Sequence, residues 1–370
     1  MNPFILTSYH SPEHFCDREN ETERLLSAIN NNRNVALISK RRMGKTGLLM
    51  HLERQLAMQK EQQFVYFDVL SASSLQDFVN LFANALFKSN NRNFEKLFKS
   101  FSKIFSAFKP SFSINPITGE TKFNLDISNI SESESSLTAI FNYIQKINKK
   151  FVIAIDEFQQ ITSFSENNTE ALLRSHIQHI NNAVFIFSGS SRKILGEMFS
   201  DKNRAFYMSS EIMYLDKIDR NSYSEFILKH FTKGNFKISE NSTYFLLDLV
   251  KTHTYYVQLL CNRLYSQKKK EITEIVIAEV LSKILEENKF YFESYRKILT
   301  NFQWKVVQSI AFEGEVAEPT SKDFIEKHHL GSSSSVSTAF KSLEEKEIIS
   351  FENSKYVLQD LLFSFWLSSK

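Results

Sequence analysis

The run VALISKRRMGKTGLLMHL, residues 35–52, constrains the fold of this chain more than any other stretch. Its opening residues, Val35–Ile38, are all apolar with no polar face, which is how a strand covered on both sides reads. A basic loop holding one glycine follows, and then GLLMHLERQL, whose apolar residues recur at helical spacing. A strand that passes through a tight loop into a helix is the first half of a crossover to a parallel neighbour.

Four more short runs rich in Val, Ile and Phe answer it: Phe64–Val69, Phe151–Ile155, Val184–Phe187 and Ile212–Leu215. Helical patterns, such as Leu75–Phe87 and Ser136–Ile147, lie between them. The alternation predicts an α/β domain over residues 1–215, built on a parallel sheet with helices on both faces. Residues from about 90 to 135 break the rhythm. There SFSINPITGETKFNLDIS shows two alternating runs around Thr118-Gly119 and predicts an inserted hairpin.

Past Asp216 the strand signals stop. Helical patterns over Tyr223–Phe231, Ser242–Val250, Tyr256–Tyr265 and Glu271–Lys297 predict a helical subdomain at 216–298. Residues 299–370 change character again, with helical NFQWKVVQSIAF, TSKDFIEKHHL and SSSSVSTAFKSLEEKE, then strand-like IISF and KYVL. Helices closed by a small hairpin predict a winged helix.

Composition narrows the setting. With 370 residues, 42% apolar and 14% aromatic, the chain suits two or three domains with sizeable cores and excludes wholesale disorder. The 35 phenylalanines spread over the whole chain, as core positions do. A net charge of +3 permits anionic partners without demanding nucleic acid. Cys16 and Cys261, far apart, support neither a disulfide framework nor a zinc site, so a reducing, cytoplasmic setting is expected. The N-terminus lacks the basic start and apolar core of a signal peptide, and no window of about 18 apolar residues predicts a membrane span.

The chemistry begins in the opening loop. A P-loop turns successive backbone N–H groups and a helix N-terminus toward phosphates, its lysine reaches the β- and γ-phosphates, and the next hydroxyl holds Mg²⁺. Gly44, Lys45 and Thr46 fill those posts, within a cradle of Ser39, Lys40, Arg41, Arg42, Met43 and Gly47. Ser39 stands where such loops have their first glycine, and a positive φ there would cost a serine about 1 kcal/mol. In FVIAIDEFQQI a buried strand ends in Asp156 and Glu157, an expensive placement unless a positive group faces them. In a nucleotide hydrolase the first such carboxylate completes the Mg²⁺ shell and the second polarises the attacking water. VFIFSGSSR ends in small polar residues. If its strand lies between the loop strand and the acid strand, Ser188 or Ser190 meets the γ-phosphate or the water. The paired histidines at 176 and 179, and at 328 and 329, lack the companions of a metal site, and no nucleophile elbow frames a serine.

FCDRE before a helix, LISKRRMGKTGLL, IAIDEFQQI and FIFSGSS together resemble the AAA+-related ATPases of the STAND-like, archaeal-type group. The resemblance implies ATP as the nucleotide, consistent with the lack of a guanine-reading NKxD, and an ATPase core, helical lid and winged helix. It makes Lys45 and Thr46 the Walker A pair, Asp156 and Glu157 Walker B, and Ser188 or Ser190 sensor 1. Phe15–Glu19 matches the family's FxGRE element near the adenine, which brings in Phe15 and Arg18, with Asp17 at the glycine position. THTYYVQLL resembles the lid's GxPxYxQ without its Gly and Pro, and Tyr255, Tyr256 and Gln258 suit either a lid or a plain core helix. Arg204 is the candidate finger across a subunit contact and Arg263 the candidate sensor 2. Some relatives continue past an ending like YVLQDLLFSFWL into a nuclease-like domain, and none is expected here.

Three functions follow from these readings. One is Mg-dependent ATP hydrolysis that switches or drives a protein partner or a second copy of the chain. Another is a DNA-acting ATPase using the winged helix, and the third a nucleotide-binding scaffold that does not hydrolyse. The expected recognition helix, Ser333–Glu347, sets Lys341 and Lys346 against Glu344, Glu345 and Glu347, so it offers no positive stripe to DNA.

Overall fold

The computed structural model describes the whole chain except residues 1, 8, 60, 61, 90–109, 115–120, 128, 167 and 370. Two compact units emerge, Met1–Ile227 with Thr252–Leu259, and Leu228–Lys251 with Leu260–Lys370.

The first unit is built on five parallel strands: β1 (Val35–Ser39), β2 (Gln62–Asp68), β5 (Lys150–Asp156), β6 (Ala183–Gly189) and β7 (Glu211–Leu215), in the order β2-β5-β6-β1-β7. All five expected strands are present. Helices α1 (Glu19–Asn30), α2 (Lys45–Gln59), α3 (Leu75–Lys88), α4 (Ile130–Lys146), α5 (Thr169–Ile177) and α6 (Arg192–Ser200) accompany them. α4 begins six residues before the helical pattern because Asn129 caps it, accepting from the Glu132 amide.

β1 is buried throughout, yet its residues still alternate between two cores. Val35 and Leu37 pack with Leu25, Leu48, Leu49 and Leu52 of α1 and α2. Ala36 and Ile38 join the opposite core, where Phe67, Phe78, Phe82, Phe141, Phe185 and Phe187 gather. Each face needs its own apolar set because successive side chains of a strand point to opposite sides. Within that second core Phe67 stacks on Phe82 at 5.0 Å, and Phe158 meets Phe187 at 4.6 Å. Much of the phenylalanine content is therefore spent on one face of the sheet.

The inserted hairpin pairs β3 (Ser111–Ile114) with β4 (Thr121–Asn124) in antiparallel register, Ser111 opposite Asn124. The turn expected at Thr118-Gly119 and residues 90–109 lie outside the described residues.

Helices α7 (Arg220–Lys233), α8 (Glu240–Leu249) and α9 (Thr254–Ser266) follow in the chain, and in the second unit the pattern over Glu271–Lys297 proves to be several elements. The pair β8 (Lys237–Ile238) and β9 (Glu271–Ile272) is parallel, and helices α10 (Glu274–Glu287) and α11 (Lys289–Ile298) meet at Asn288. The C-terminal part is a winged helix. α12 (Asn301–Glu313), α13 (Lys322–Lys327) and α14 (Ser333–Glu345) precede the hairpin of β10 (Ile349–Glu352) and β11 (Lys355–Leu358). Asn353 and Ser354 both take positive φ (48° and 64°), the geometry a two-residue hairpin turn requires. A last helix, α15 (Leu361–Ser368), had no counterpart in the sequence expectations, since its continuous apolar run hides the helical period. Phe363 and Trp366 set it against Phe292 and Trp304.

Candidate functional site

β6 lies between β1 and β5, with Leu37 beside Ser188 and Ala154 beside Ile186. The loop after β1, the acids ending β5 and the serines ending β6 therefore share one sheet edge, the carboxyl edge where open α/β sheets bind ligands.

The loop's backbone answers the question posed by Ser39. Ser39 is the last residue of β1, paired with Leu215 and fully buried, its Oγ donating to the Lys40 carbonyl at 2.9 Å. Its backbone is extended, so no glycine is needed there. The left-handed bends fall at Arg42 (φ 62°) and Gly44 (φ 91°). α2 then starts at Lys45, and the amides of its first turn have no carbonyl partner within the helix. Two other glycine positions of the resembled motifs do demand the left-handed region. Asp17 (φ 54°) and Thr252 (φ 53°) occupy them, the first at little cost to an Asp, the second as strain in a β-branched residue.

The polar centre is a closed network. Lys45 Nζ, buried, lies 3.1 Å from Asp156 Oδ1 and 3.3 Å from Glu157 Oε1. Asp156 Oδ1 also accepts from Ser188 Oγ at 2.7 Å and from the Glu157 amide at 3.0 Å. Its Oδ2 accepts from Thr46 Oγ1 at 2.9 Å and from the Tyr66 hydroxyl at 3.1 Å. Glu157 bends left-handed (φ 53°), and its Oε2 accepts from Gln159 Nε2 at 2.6 Å, Ser190 Oγ at 2.8 Å and the Ser190 amide at 3.2 Å. Ser188 and Ser190 thus divide between the two acids. Gly189 between them leaves room for Gln159, since a Cβ there would stand 2.0 Å from Gln159 Oε1 and that side chain would have to shift.

Burial pushes both carboxyls up, and the Lys45 ammonium with the surrounding hydroxyl and amide donors outweighs it, holding Asp156 and Glu157 below the usual carboxylate range. Two ionised acids face one ammonium, and Asp68 stands across the sheet in register with Asp156. The centre therefore carries surplus negative charge with hard oxygen donors at Thr46 and Asp156, which suits a small divalent cation. Among the described residues no cluster of three or more His, Cys, Asp or Glu forms a metal cage.

Thr252–Leu259 belongs to the same unit and borders the loop. The Tyr255 amide donates to the Arg42 carbonyl at 3.2 Å, and the Arg42 guanidinium lies 4.4 Å above the Tyr255 ring. Burial, helped by the charges of Lys40, Lys217 and Arg42, lowers His253 to about 4, although a hydrogen bond with the Arg41 backbone works the other way. A neutral imidazole therefore sits among the loop's cations. Tyr256 is buried in the core, and Gln258 donates to the Tyr223 hydroxyl at 3.2 Å.

Other expected residues lie elsewhere. Phe15 stacks on His51 at 4.6 Å and approaches Gly47, beside the start of α2. Arg18 is buried and braces the backbone, donating to Glu21 Oε1 at 2.6 Å, to the Asp216 carbonyl at 2.7 Å and to the Met43 carbonyl at 3.4 Å. Arg204 makes a fork with Glu170 and no hydrogen bond to the polar centre. Arg263, in the second unit, pairs with Glu287 at 2.9 Å. Sequence reasoning missed Tyr66, Gln159 and His253. Tyr66 carried a faint signal, as the one polar-tipped residue inside an apolar strand two positions before an acid.

Residues 15–235 match the model of a family described as an ATPase domain predominantly from Archaea, and residues 290–369 match a probable winged helix domain. A Walker-type ATPase of Pyrococcus abyssi shares the fold with a TM-score of 0.65 at 16% identity, over 99% of both chains. The ORC2 protein of Aeropyrum pernix, solved with ADPNP and ADP, follows at 0.62 and 12% identity, over 100% of this chain and 96% of that one. No curated protein matches by sequence. Among the described residues no helix is long and apolar enough to cross a membrane.

Proposed function

Because the chain belongs to the family of ATPase domains found predominantly in Archaea, we propose that it binds ATP with Mg²⁺ in the loop Ser39–Gly47 and hydrolyses it slowly to switch or drive a partner. The observation that carries this is Lys45, at a helix N-terminus, held between two adjacent strand-end carboxylates whose other donors are Thr46, Ser188 and Ser190.

The loop amides and the cations of Lys40, Arg41 and Arg42 bind phosphate charge. Lys45 leaves the carboxylates to meet the phosphates, and Thr46 with Asp156 holds the cation, which neutralises charge developing on the phosphate oxygens when bound. Holding Mg²⁺ through few protein oxygens, with phosphate and water completing its shell, is its ordinary habit beside a nucleotide. Glu157 orients the attacking water, and Ser188 and Ser190 hold the two acids apart in role. In the structure Glu157 is committed to Lys45, Gln159 and Ser190, so hydrolysis requires that it be released, which supports a slow basal rate. Phe15, beside Gly47, and Tyr255, beside Arg42, are assigned to the base and lid. Arg204 serves as a finger only if its pair with Glu170 opens on self-association. We assign residues 1–215 to the ATPase core, 216–298 to the lid and 299–370 to the winged helix, in a cytoplasmic protein.

The partner favoured is a protein or a second copy, with DNA as the alternative. Of the two lysines at the recognition helix, Lys346 is spent on the Ile298 carbonyl and Gln303, each at 3.2 Å. Fluorescent ATP binding and turnover, for wild type beside Lys45→Ala and Glu157→Gln, test the reading. Binding lost in the first and turnover alone lost in the second are expected. A wild type that binds no nucleotide at millimolar concentration ends it.

A further inference from the structure

Asp156 takes five donors, and their origins differ. Lys45 and Thr46 come from the first turn of α2, Ser188 from β6, and the Glu157 amide from the residue that follows β5. Tyr66 comes from β2, a strand to which neither the motifs nor the family resemblance assigns a role. The register explains the reach. β2 and β5 run parallel with Tyr66 beside Ala154 and Asp68 beside Asp156, so the long phenol spans the two residues to the carboxylate. Its ring is half-buried against the core of α1, α2 and the sheet, which fixes its direction.

The two carboxylate oxygens are not equivalent. Oδ1 is saturated by an ammonium, a hydroxyl and an amide. Oδ2 has two hydroxyls, of which Thr46 is the one a cation at this site would engage. Once Thr46 and Lys45 turn to a cation and phosphates, Tyr66 is the donor that still holds Oδ2. We propose that Tyr66 is a positioning residue whose hydroxyl orients Asp156 toward the water shell of the divalent cation, and so sets the cation affinity of the nucleotide complex. The inference rests on the ATP and Mg²⁺ reading above. Partners that orient a metal's ligands typically change affinity 10- to 100-fold when removed.

Tyr66→Phe keeps the ring and deletes only the hydroxyl. The full-length chain is saturated with a non-hydrolysable ATP analogue and titrated with Mn²⁺, free Mn²⁺ being read by electron paramagnetic resonance. Mg²⁺ dependence of fluorescent nucleotide binding is followed in parallel. The half-saturating cation concentration rises about tenfold in Tyr66→Phe, while nucleotide binding in excess chelator stays within about twofold of wild type. Cation affinity equal to wild type overturns the inference and leaves the ATPase reading standing. A Tyr66→Phe chain that loses its far-ultraviolet circular dichroism also overturns it, because the hydroxyl is then a folding element. Wild type without cation-dependent nucleotide binding overturns the reading and the inference together, a result Tyr66→Phe alone cannot produce.

Discussion

Lys45→Met tests whether the polar centre is held by charge in the ligand-free protein. Methionine keeps most of the stem packing and removes the ammonium. The lysine side chain is 8% exposed and its partners Asp156 and Glu157 are 3% and 17% exposed, so two charges would be left in a largely dry site. Removing one partner of a buried pair costs about 3–5 kcal/mol. Three hydroxyls and an amide still serve Asp156, so the low end, about 3 kcal/mol at pH 7, is expected. The sign with pH follows from the carboxyls. Wild-type Asp156 and Glu157 lie below their unfolded values, so they stabilise above the ordinary carboxylate range and lose that contribution as pH falls through the folded values. In Lys45→Met burial acts with less opposition and the carboxyls titrate higher. The variant regains stability as pH falls through those raised values, and the gap from wild type narrows. Urea unfolding followed by circular dichroism between pH 7.5 and about 4.5 measures this. Tryptophan emission is the wrong probe, because Trp304 and Trp366 both belong to the second unit. A loss under about 1 kcal/mol at pH 7, or a gap that does not narrow on acidification, refutes the reasoning.

Ser39→Gly brings no gain in nucleotide affinity and lowers stability by about 0.5–1 kcal/mol, because position 39 is extended strand; a fluorescent ATP titration with a melting curve checks it. Asp17→Gly leaves stability within about 0.5 kcal/mol of wild type, since an Asp adopts the left-handed region at little cost and the freer unfolded chain of a glycine offsets what is relieved, and urea unfolding checks it. Gln159→Ala removes a donor that helps hold the Glu157 carboxyl down, so the acid limb of the turnover profile moves to higher pH; a profile that stays put contradicts the assignment.

The sheet, its five strands and the pairing of Lys45 and Thr46 with Asp156 were legible from local signals. Doubly buried strands must be short and apolar throughout, and a phosphate loop needs its glycine and lysine adjacent in the chain, so both leave marks in consecutive residues. The same locality explains the misses. Asn288 divides a continuous helical pattern through its cap geometry, and α15 is apolar all round, so neither shows in periodicity.

What the amino-acid order determined by itself was the five strands of the sheet, most of the helices and the residue types that nucleotide chemistry demands. Only the tertiary structure decided which residue serves which acid. Ser188 reaches Asp156 and Ser190 reaches Glu157 because β6 lies beside β5 and both chains leave the sheet there, Glu157 through a left-handed bend and Ser190 one residue past the end of β6. Tyr66 joins Asp156 through the parallel register of β2 and β5, set by pairing across 90 residues of chain. Ser39 escapes the glycine requirement because β1 continues one residue further before the loop bends at Arg42 and Gly44. Backbone angle, register and strand order are properties of packing, and no single stretch of sequence carries them.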